Sequence, residues 1–176
     1  EVDTIRRLEG LVDIYLPDFK YMDATLSLRY SHAADYSEVA KATIAEMVRQ
    51  TGDAVFAEPI TPTDSWNEKD PVEAGCLMRR GTIVRHLLLP GQKEDSKAVI
   101  RYLYETYGDS IYISIMNQFT PLAGLEKYPE LNRRVTEEEY DEVVDYAIAI
   151  GVENGFIQEG ETAEESFIPE FDGEGV

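Results

Sequence analysis

Cysteine is nearly absent: the 176-residue chain carries one, Cys76. That excludes a disulfide-stapled scaffold and any metal cluster held by this chain's cysteines alone, and it fits a reducing compartment, the cytoplasm. Basic residues are scarce too. Sixteen Lys and Arg stand against 35 Asp and Glu, a formal charge of −19. Such a chain is poorly suited to displacing counterions from nucleic acid or to lying on an anionic membrane. No apolar run approaches the ~18 residues that span a bilayer. The first seven residues, Glu1 to Arg7, lack the apolar core of a secretory signal. The dinucleotide glycine fingerprint, the Walker phosphate loop and the G-x-S-x-G elbow are missing, so dehydrogenase, kinase and serine-hydrolase readings have no support.

What is present suffices for one domain with a real core: 43% of residues are hydrophobic, too many for a disordered acidic chain. Apolar, aromatic and β-branched residues predict a strand over 11–19, broken by Asp18 and Lys20. Ala40, Ile44, Met47 and Val48 recur at helical spacing, which predicts a helix over 37–51 closed by Gly52. Residues 53–78 hold Pro59, Pro62, Pro71 and Trp66 and read as a long loop, with Trp66 its anchor. A strand over 82–89 stops at Pro90-Gly91. A helix over 95–107 carries Val99, Ile100, Leu103, Tyr104 and Tyr107 on one face. A strand follows over 111–116, then a Pro- and Gly-containing connection over 120–131. Thr136 and Glu139 form a capping box before a helix whose apolar face is Tyr140, Val143, Val144, Ala147 and Ile148. A short strand over 155–158 closes the domain, 1–158. The segment 159–176 is an acidic tail: from Glu153 onward there are eight acids and no Lys or Arg. Phe167, Ile168 and Phe171 would pin that tail to the surface.

Strands alternating with helices, each strand continuously apolar, predict an α/β fold: a parallel sheet with covering helices. Chemistry in such folds sits at the carboxyl ends of the strands. The first strand ends with Asp18 and Lys20, two apart and so on one face. Together they suit a zwitterionic ligand, or a carboxylate and a ribose separately; a plain ion pair or a solvated strand end fits as well. Arg85, among leucines, needs an anionic partner, either Asp18 or a ligand carboxylate. It shares a face with Leu87 and Leu89. His86 faces the other way and reads as a hydrogen-bonded core histidine, with catalytic base the lesser reading. Asn117 and Gln118 end the third strand, where amides read a purine edge or a ribose hydroxyl, or satisfy loop backbone. Cys76 has no spaced Cys or His partner, and His32 gives it none.

Residues 13–21 (Asp-Ile-Tyr-Leu-Pro-Asp-Phe-Lys-Tyr) and 83–91 (Ile-Val-Arg-His-Leu-Leu-Leu-Pro-Gly), followed by 112–119 (Tyr-Ile-Ser-Ile-Met-Asn-Gln-Phe), form an ordered set. The set resembles the strand motifs of radical S-adenosylmethionine enzymes, in the branch of pyruvate formate-lyase activating enzyme. Residues 155–158 and the tail resemble a sub-branch of the same family. The resemblance implies a partial (β/α)6, TIM-like barrel. It implies a 4Fe–4S cluster that reduces S-adenosylmethionine to a deoxyadenosyl radical, which in this branch takes hydrogen from a glycine of a partner, a glycyl-radical protein. By resemblance, Asp18 and Lys20 contact S-adenosylmethionine, Arg85 lies near its carboxylate or ribose, and Asn117 and Gln118 stand at the sixth strand, where some relatives carry histidine.

The C-x-x-x-C-x-x-C cluster loop and the glycine-rich motif of that family are missing here. Together with the non-Met start, this leads to the expectation that the chain is the C-terminal half of the barrel, inactive alone and without a cluster. A half-barrel would expose a sheet edge and the inner face bearing Leu16, Leu87 and Leu89, which predicts oligomerisation through that edge or a segment folded over it. Two other readings stand beside this one. One is a different α/β barrel enzyme with a strand-end Asp18/Lys20/Arg85 site, Lys20 forming a Schiff base. The other is an acidic interaction module that binds a basic partner through residues 53–78 and the tail.

Overall fold

The computed structural model describes residues 2–57, 77–121 and 125–157. The acidic tail, Gln158, Cys76, Trp66 and the proline-rich part of the expected loop lie outside the described residues. The elements in chain order are α1 (Val2–Arg6), β1 (Ile14–Tyr15), α2 (Ala24–Ser31), α3 (Tyr36–Thr51), β2 (Val55–Phe56), β3 (Met78–Leu87), α4 (Lys93–Tyr107), β4 (Tyr112–Met116), α5 (Glu137–Ile150) and β5 (Gly155–Ile157). The sheet order is β1-β3-β4-β5, every pair parallel; β2 adds antiparallel to the start of β3. The α/β architecture with a mostly parallel, helix-flanked sheet is as expected.

The pleat divides the sheet into two unlike faces. On one face Thr82 and Val84 of β3 are fully buried, with His86 at 1% exposure, and Ile113 and Ile115 of β4 continue the layer. Over them lie Ile44 of α3, Val99, Ile100 and Leu103 of α4, and Tyr140, Val143 and Ala147 of α5. Parallel strands in sequential order bring their helices to one side when their crossovers share one hand, which is why the main core lies on this face. The other face takes the alternate residues. Register sets Ile83 beside Tyr112, Arg85 beside Ser114, and Ser114 beside Phe156. This face is open: Leu16 is 52% and Phe156 47% exposed. Leu89 does not belong to it. The residue lies beyond the end of β3 and is buried in a second cluster with Tyr21 and Leu131.

Three departures from the sequence reading have physical causes. The first strand is regular for two residues only, because Pro17 interrupts it. The ladder holds at Gly81 N–H to Asp13 O (3.0 Å), at Arg85 N–H to Pro17 O (2.8 Å) and at Phe19 N–H to Arg85 O (2.9 Å). Pro17 accepts a bond but has no N–H to give. Second, α2 was not anticipated. It is short and carries little apolar periodicity, and its start is set by Asp23, whose carboxylate accepts Thr25 N–H at 2.6 Å. Third, the expected loop 53–78 contains β2 and the first residue of β3.

The last helix is fixed at both ends as expected. Glu139 N–H donates to Thr136 Oγ1 (3.2 Å), and Glu139 Oε2 accepts Thr136 N–H (3.0 Å). Gly151 terminates it at φ 101°, where an added Cβ would meet the Tyr104 hydroxyl at 2.8 Å. Gly151→Ala is therefore expected to destabilise the fold by about 1–2 kcal/mol from the left-handed backbone alone. A urea melt of the variant against the parent checks it.

Candidate functional site

Asp18, Lys20 and Arg85 meet at the carboxyl end of β3, on the open face. The backbone brings the first and third together: Asp18 and Arg85 form an isolated parallel bridge. Arg85 Nε donates to Asp18 Oδ1 at 2.8 Å, and Nη2 lies 2.7 Å from the same oxygen. Two of the five guanidinium donors are used in this way. Lys20 Nζ stands 3.6 Å from the other oxygen, Oδ2. One carboxylate thus faces two cations, and the cluster carries a net positive charge in a chain of −19. The side chains are 32–42% exposed, so these pairs add little to stability, and the cations remain within reach of a ligand anion.

What lies beneath this cluster is more ordered than an ion pair on a solvated edge requires. Phe19, between the two polar residues, is fully buried, which turns Asp18 and Lys20 to the opposite side. The Tyr36 hydroxyl donates to Asp18 O at 3.1 Å and accepts Lys20 N–H at 3.0 Å, bridging the turn from one side to the other. Burial raises the Tyr36 pKa above its ordinary value, which keeps that phenol protonated. His86 Nδ1 lies 2.7 Å from Phe19 O. A carbonyl only accepts, so the proton is on Nδ1 and Nε2 carries the lone pair. Burial pushes the His86 pKa down to about 4, against the opposing effect of that hydrogen bond, so the ring is neutral. Further along, Asp95 at the start of α4 accepts Met22 N–H (3.1 Å) and Asp23 N–H (2.7 Å). Burial raises the Asp95 pKa, and the two backbone bonds oppose it.

His86 is thus a core histidine, as read from the sequence, and it also anchors the site's backbone. Tyr36 and Asp95 were not singled out. Their partners lie 16 and about 72 residues away in sequence, so no local pattern marks them. Asn117 and Gln118 follow β4, but register sets Ser114 beside Arg85 and carries the two amides beyond it. Gln118 is exposed, with Nε2 3.6 Å from Met116 Sδ.

At the opposite, amino end of β4 there is an open depression of about 300 Å3 lined by Asp53, Phe56, Asp109, Ser110, Tyr112 and Asn154. It offers two carboxylates and no cation among its lining residues, and parallel α/β folds do their chemistry at the other end. The Asp18–Lys20–Arg85 cluster is therefore the candidate site. Among the described residues no three His, Cys, Asp or Glu side chains gather as a metal site, and no helix is long and apolar enough to cross a membrane.

No protein-family model matches the chain, and no solved structure does. The chain is similar to an uncharacterized protein, MJ0674, of Methanocaldococcus jannaschii, at 24% identity over 146 residues. The match takes in 83% of this chain and 34% of that protein, so the chain spans about a third of the length of its relative.

Proposed function

We propose that this chain is the C-terminal part of a radical S-adenosylmethionine enzyme similar to pyruvate formate-lyase activating enzyme, acting in the cytoplasm on a glycyl-radical protein. The observation that carries the reading is the Asp18–Lys20–Arg85 cluster at the carboxyl ends of two adjacent parallel strands, on a face that no helix among the described residues covers. Sequential strand order without reversal is also what a segment of a (β/α) barrel requires.

The donor set suits S-adenosylmethionine. Arg85 and Lys20 are matched to its carboxylate, and Asp18 to its ammonium or its ribose hydroxyls. Beside them the apolar open face, with Leu16, Ile83 and Leu87, accommodates an adenine ring. When bound, that cofactor supplies a reducible sulfonium. The chain's own part is to bind and orient: Asp18 holds the guanidinium in place, Tyr36 holds the Asp18 carbonyl, and His86 holds the carbonyl of Phe19 beside it. The described residues include no cysteine and do not suit an iron–sulfur cluster, so that group would have to be held elsewhere in a longer polypeptide. The aldolase reading is less well supported, since Lys20 is 41% exposed and stands beside a carboxylate rather than in a dry apolar pocket.

Two measurements test this. The complete reading frame that encodes these residues should contain a C-x-x-x-C-x-x-C upstream. Its product, reconstituted without oxygen, should cleave S-adenosylmethionine to 5′-deoxyadenosine; a frame with no such motif sinks the proposal. Reconstitution of the 176-residue chain alone should leave it free of iron–sulfur absorbance. A stoichiometric cluster there would overturn the idea that the ligands lie elsewhere.

A further inference from the structure

The depression at the amino end of β4 has a wall that the candidate site lacks, a ladder of aromatic rings. Phe56 of β2 has its ring 5.5 Å from that of Tyr112, edge to face, and Tyr112 stacks on Phe156 of β5 at 5.3 Å and 29°. Phe56 and Tyr112 line the depression, and the ladder runs on past it to Phe156, which is half exposed. Three strands thus present one strip of aromatic surface to solvent. Contiguous apolar surface of this kind marks an interaction site, where a single exposed ring would not.

The charged groups beside the rings are of one sign. Asp53 and Asp109 stand in the lining, and no salt bridge among the described residues engages either carboxylate. Both sit on ordered backbone. Asn154 Nδ2 donates to Asp109 O at 2.9 Å, and Asn154 O accepts Ile113 N–H at 3.0 Å, which ties the turn after α4 to the start of β5 through β4. On the other side Ala54 lies against Gly81 of β3, where an added Cβ would meet Ala54 Cα at 3.3 Å. The walls are therefore fixed before any ligand arrives. Acids alone would mark no more than a solvated rim. Acids beside ring faces do more: the negative face of an aromatic ring attracts a cation, and that attraction adds to the carboxylates' own. A metal ion is the poorer fit, since it would find two carboxylates and no third His, Cys, Asp or Glu gathered with them among the described residues.

We infer that this depression receives a lysine or arginine side chain from a basic segment of a partner protein. The cationic head lies between Asp53 and Asp109 and against the rings of Phe56 and Tyr112, while its methylene stem covers apolar surface. The depression is open rather than enclosed, so the side chain enters while its main chain stays outside, and the flanking residues of the segment cover Phe156. Charge selects the partner: a chain of −19 repels a second copy of itself and attracts a basic segment from a distance. The site stands at the other end of the strands from Asp18, Lys20 and Arg85 and does not depend on what that cluster binds.

The probes are the peptides acetyl-Gly-Lys-Gly-amide and acetyl-Gly-Arg-Gly-amide, titrated into the isotope-labelled 176-residue chain and followed by two-dimensional NMR. Saturable, salt-sensitive shifts are expected at the amides of Phe56, Tyr112 and Asn154. Asp53→Asn and Asp109→Asn should each weaken binding about threefold. Phe56→Leu, which keeps an apolar side chain but removes the ring face, should weaken it by about the same factor. Glu137→Gln, in the first turn of α5 at the far end of the sheet, should leave it unchanged. The spectrum of each variant shows that it is folded. The proposal is overturned by the absence of a saturable shift, by equal binding of the peptide with norleucine in place of lysine, or by aspartate variants that bind as the parent does. An equal effect of Glu137→Gln overturns it as well, since binding would then follow the chain's overall charge. Butylammonium bound as tightly as the lysine peptide would assign the pocket to a free amine, and sedimentation as a dimer with these same amides shifted would assign it to a second copy; either result sinks the proposal.

Discussion

Phe19→Ala should lower the unfolding free energy by about 3–5 kcal/mol, the range for deleting a large aromatic from a closed core. Phe19 is fully buried and belongs to the main cluster with Val84, Leu88 and Leu103. Its ring lies 5.9 Å from Tyr102, edge to face, and 6.4 Å from Tyr36. The surrounding groups are held by the sheet and by three helices, so the site cannot collapse to fill the void. Against a typical total of about 5–15 kcal/mol the loss is large. Urea denaturation at neutral pH measures it, and Phe19→Leu, which leaves a smaller cavity, should cost less. A loss below about 1 kcal/mol for Phe19→Ala would mean that the turn carrying Asp18 and Lys20 is not anchored in the core. The same variant should loosen the Arg85–Asp18 pair, because the buried ring is what turns both polar neighbours to the open face.

The second large effect is on pH. In the folded protein His86 stays neutral down to about pH 4, whereas in the unfolded chain it takes up a proton near its ordinary 6.5. Between those values the unfolded state binds more protons, so the stability His86 contributes is complete above pH 6.5 and is lost as the pH falls toward 4. The loss amounts to about 3 kcal/mol at 1.36 kcal/mol per pKa unit. Glu46 and Glu139, held down to about 2 chiefly by Arg49 and Arg133, lose their contributions only at lower pH. Acidification also relieves the self-repulsion of a −19 chain, which works in the opposite direction. The measurement is therefore a difference: stability against pH for the parent and for His86→Gln, which keeps a donor for the Phe19 carbonyl but does not titrate. The parent should fall relative to the variant between pH 6.5 and 4. Parallel curves would contradict the buried, neutral ring.

The contrast between what could and could not be read from the sequence follows the range of the interactions. The capping box at Thr136 and Glu139, the stop at Gly151 and the amphipathic faces of α3, α4 and α5 are local, and each was legible. Pro17 was also in view, but a run of apolar neighbours outweighed the single missing N–H that cuts β1 short. The choice of partner for Arg85 lay between Asp18 and a ligand, and the geometry gives it Asp18 at 2.7 Å. That pairing depends on a register between segments 67 residues apart, which no periodicity encodes. Tyr36 was hidden for the same reason. It stands just before the helix expected over 37–51 and is in the structure the first residue of α3, and its function in the fold appears only when the turn at 18–20 is laid against it.

The rung that Pro17 cannot supply faces β3, and this bears on how the chain behaves next to other strands. Asp13, Pro17 and Phe19 direct their backbone groups inward to β3. By alternation Ile14, Leu16 and Asp18 direct theirs outward, and none of these is proline. The Asp18 carbonyl is taken by Tyr36, while Ile14 and Leu16 present a short segment with its donors and acceptors intact. The proline therefore weakens the seam within the domain and leaves the rim competent. An added strand aligned with Ile14 and Leu16 would extend the sheet by β-augmentation, with Leu16 supplying an apolar anchor and the ordered Asp18 turn setting where the pairing ends.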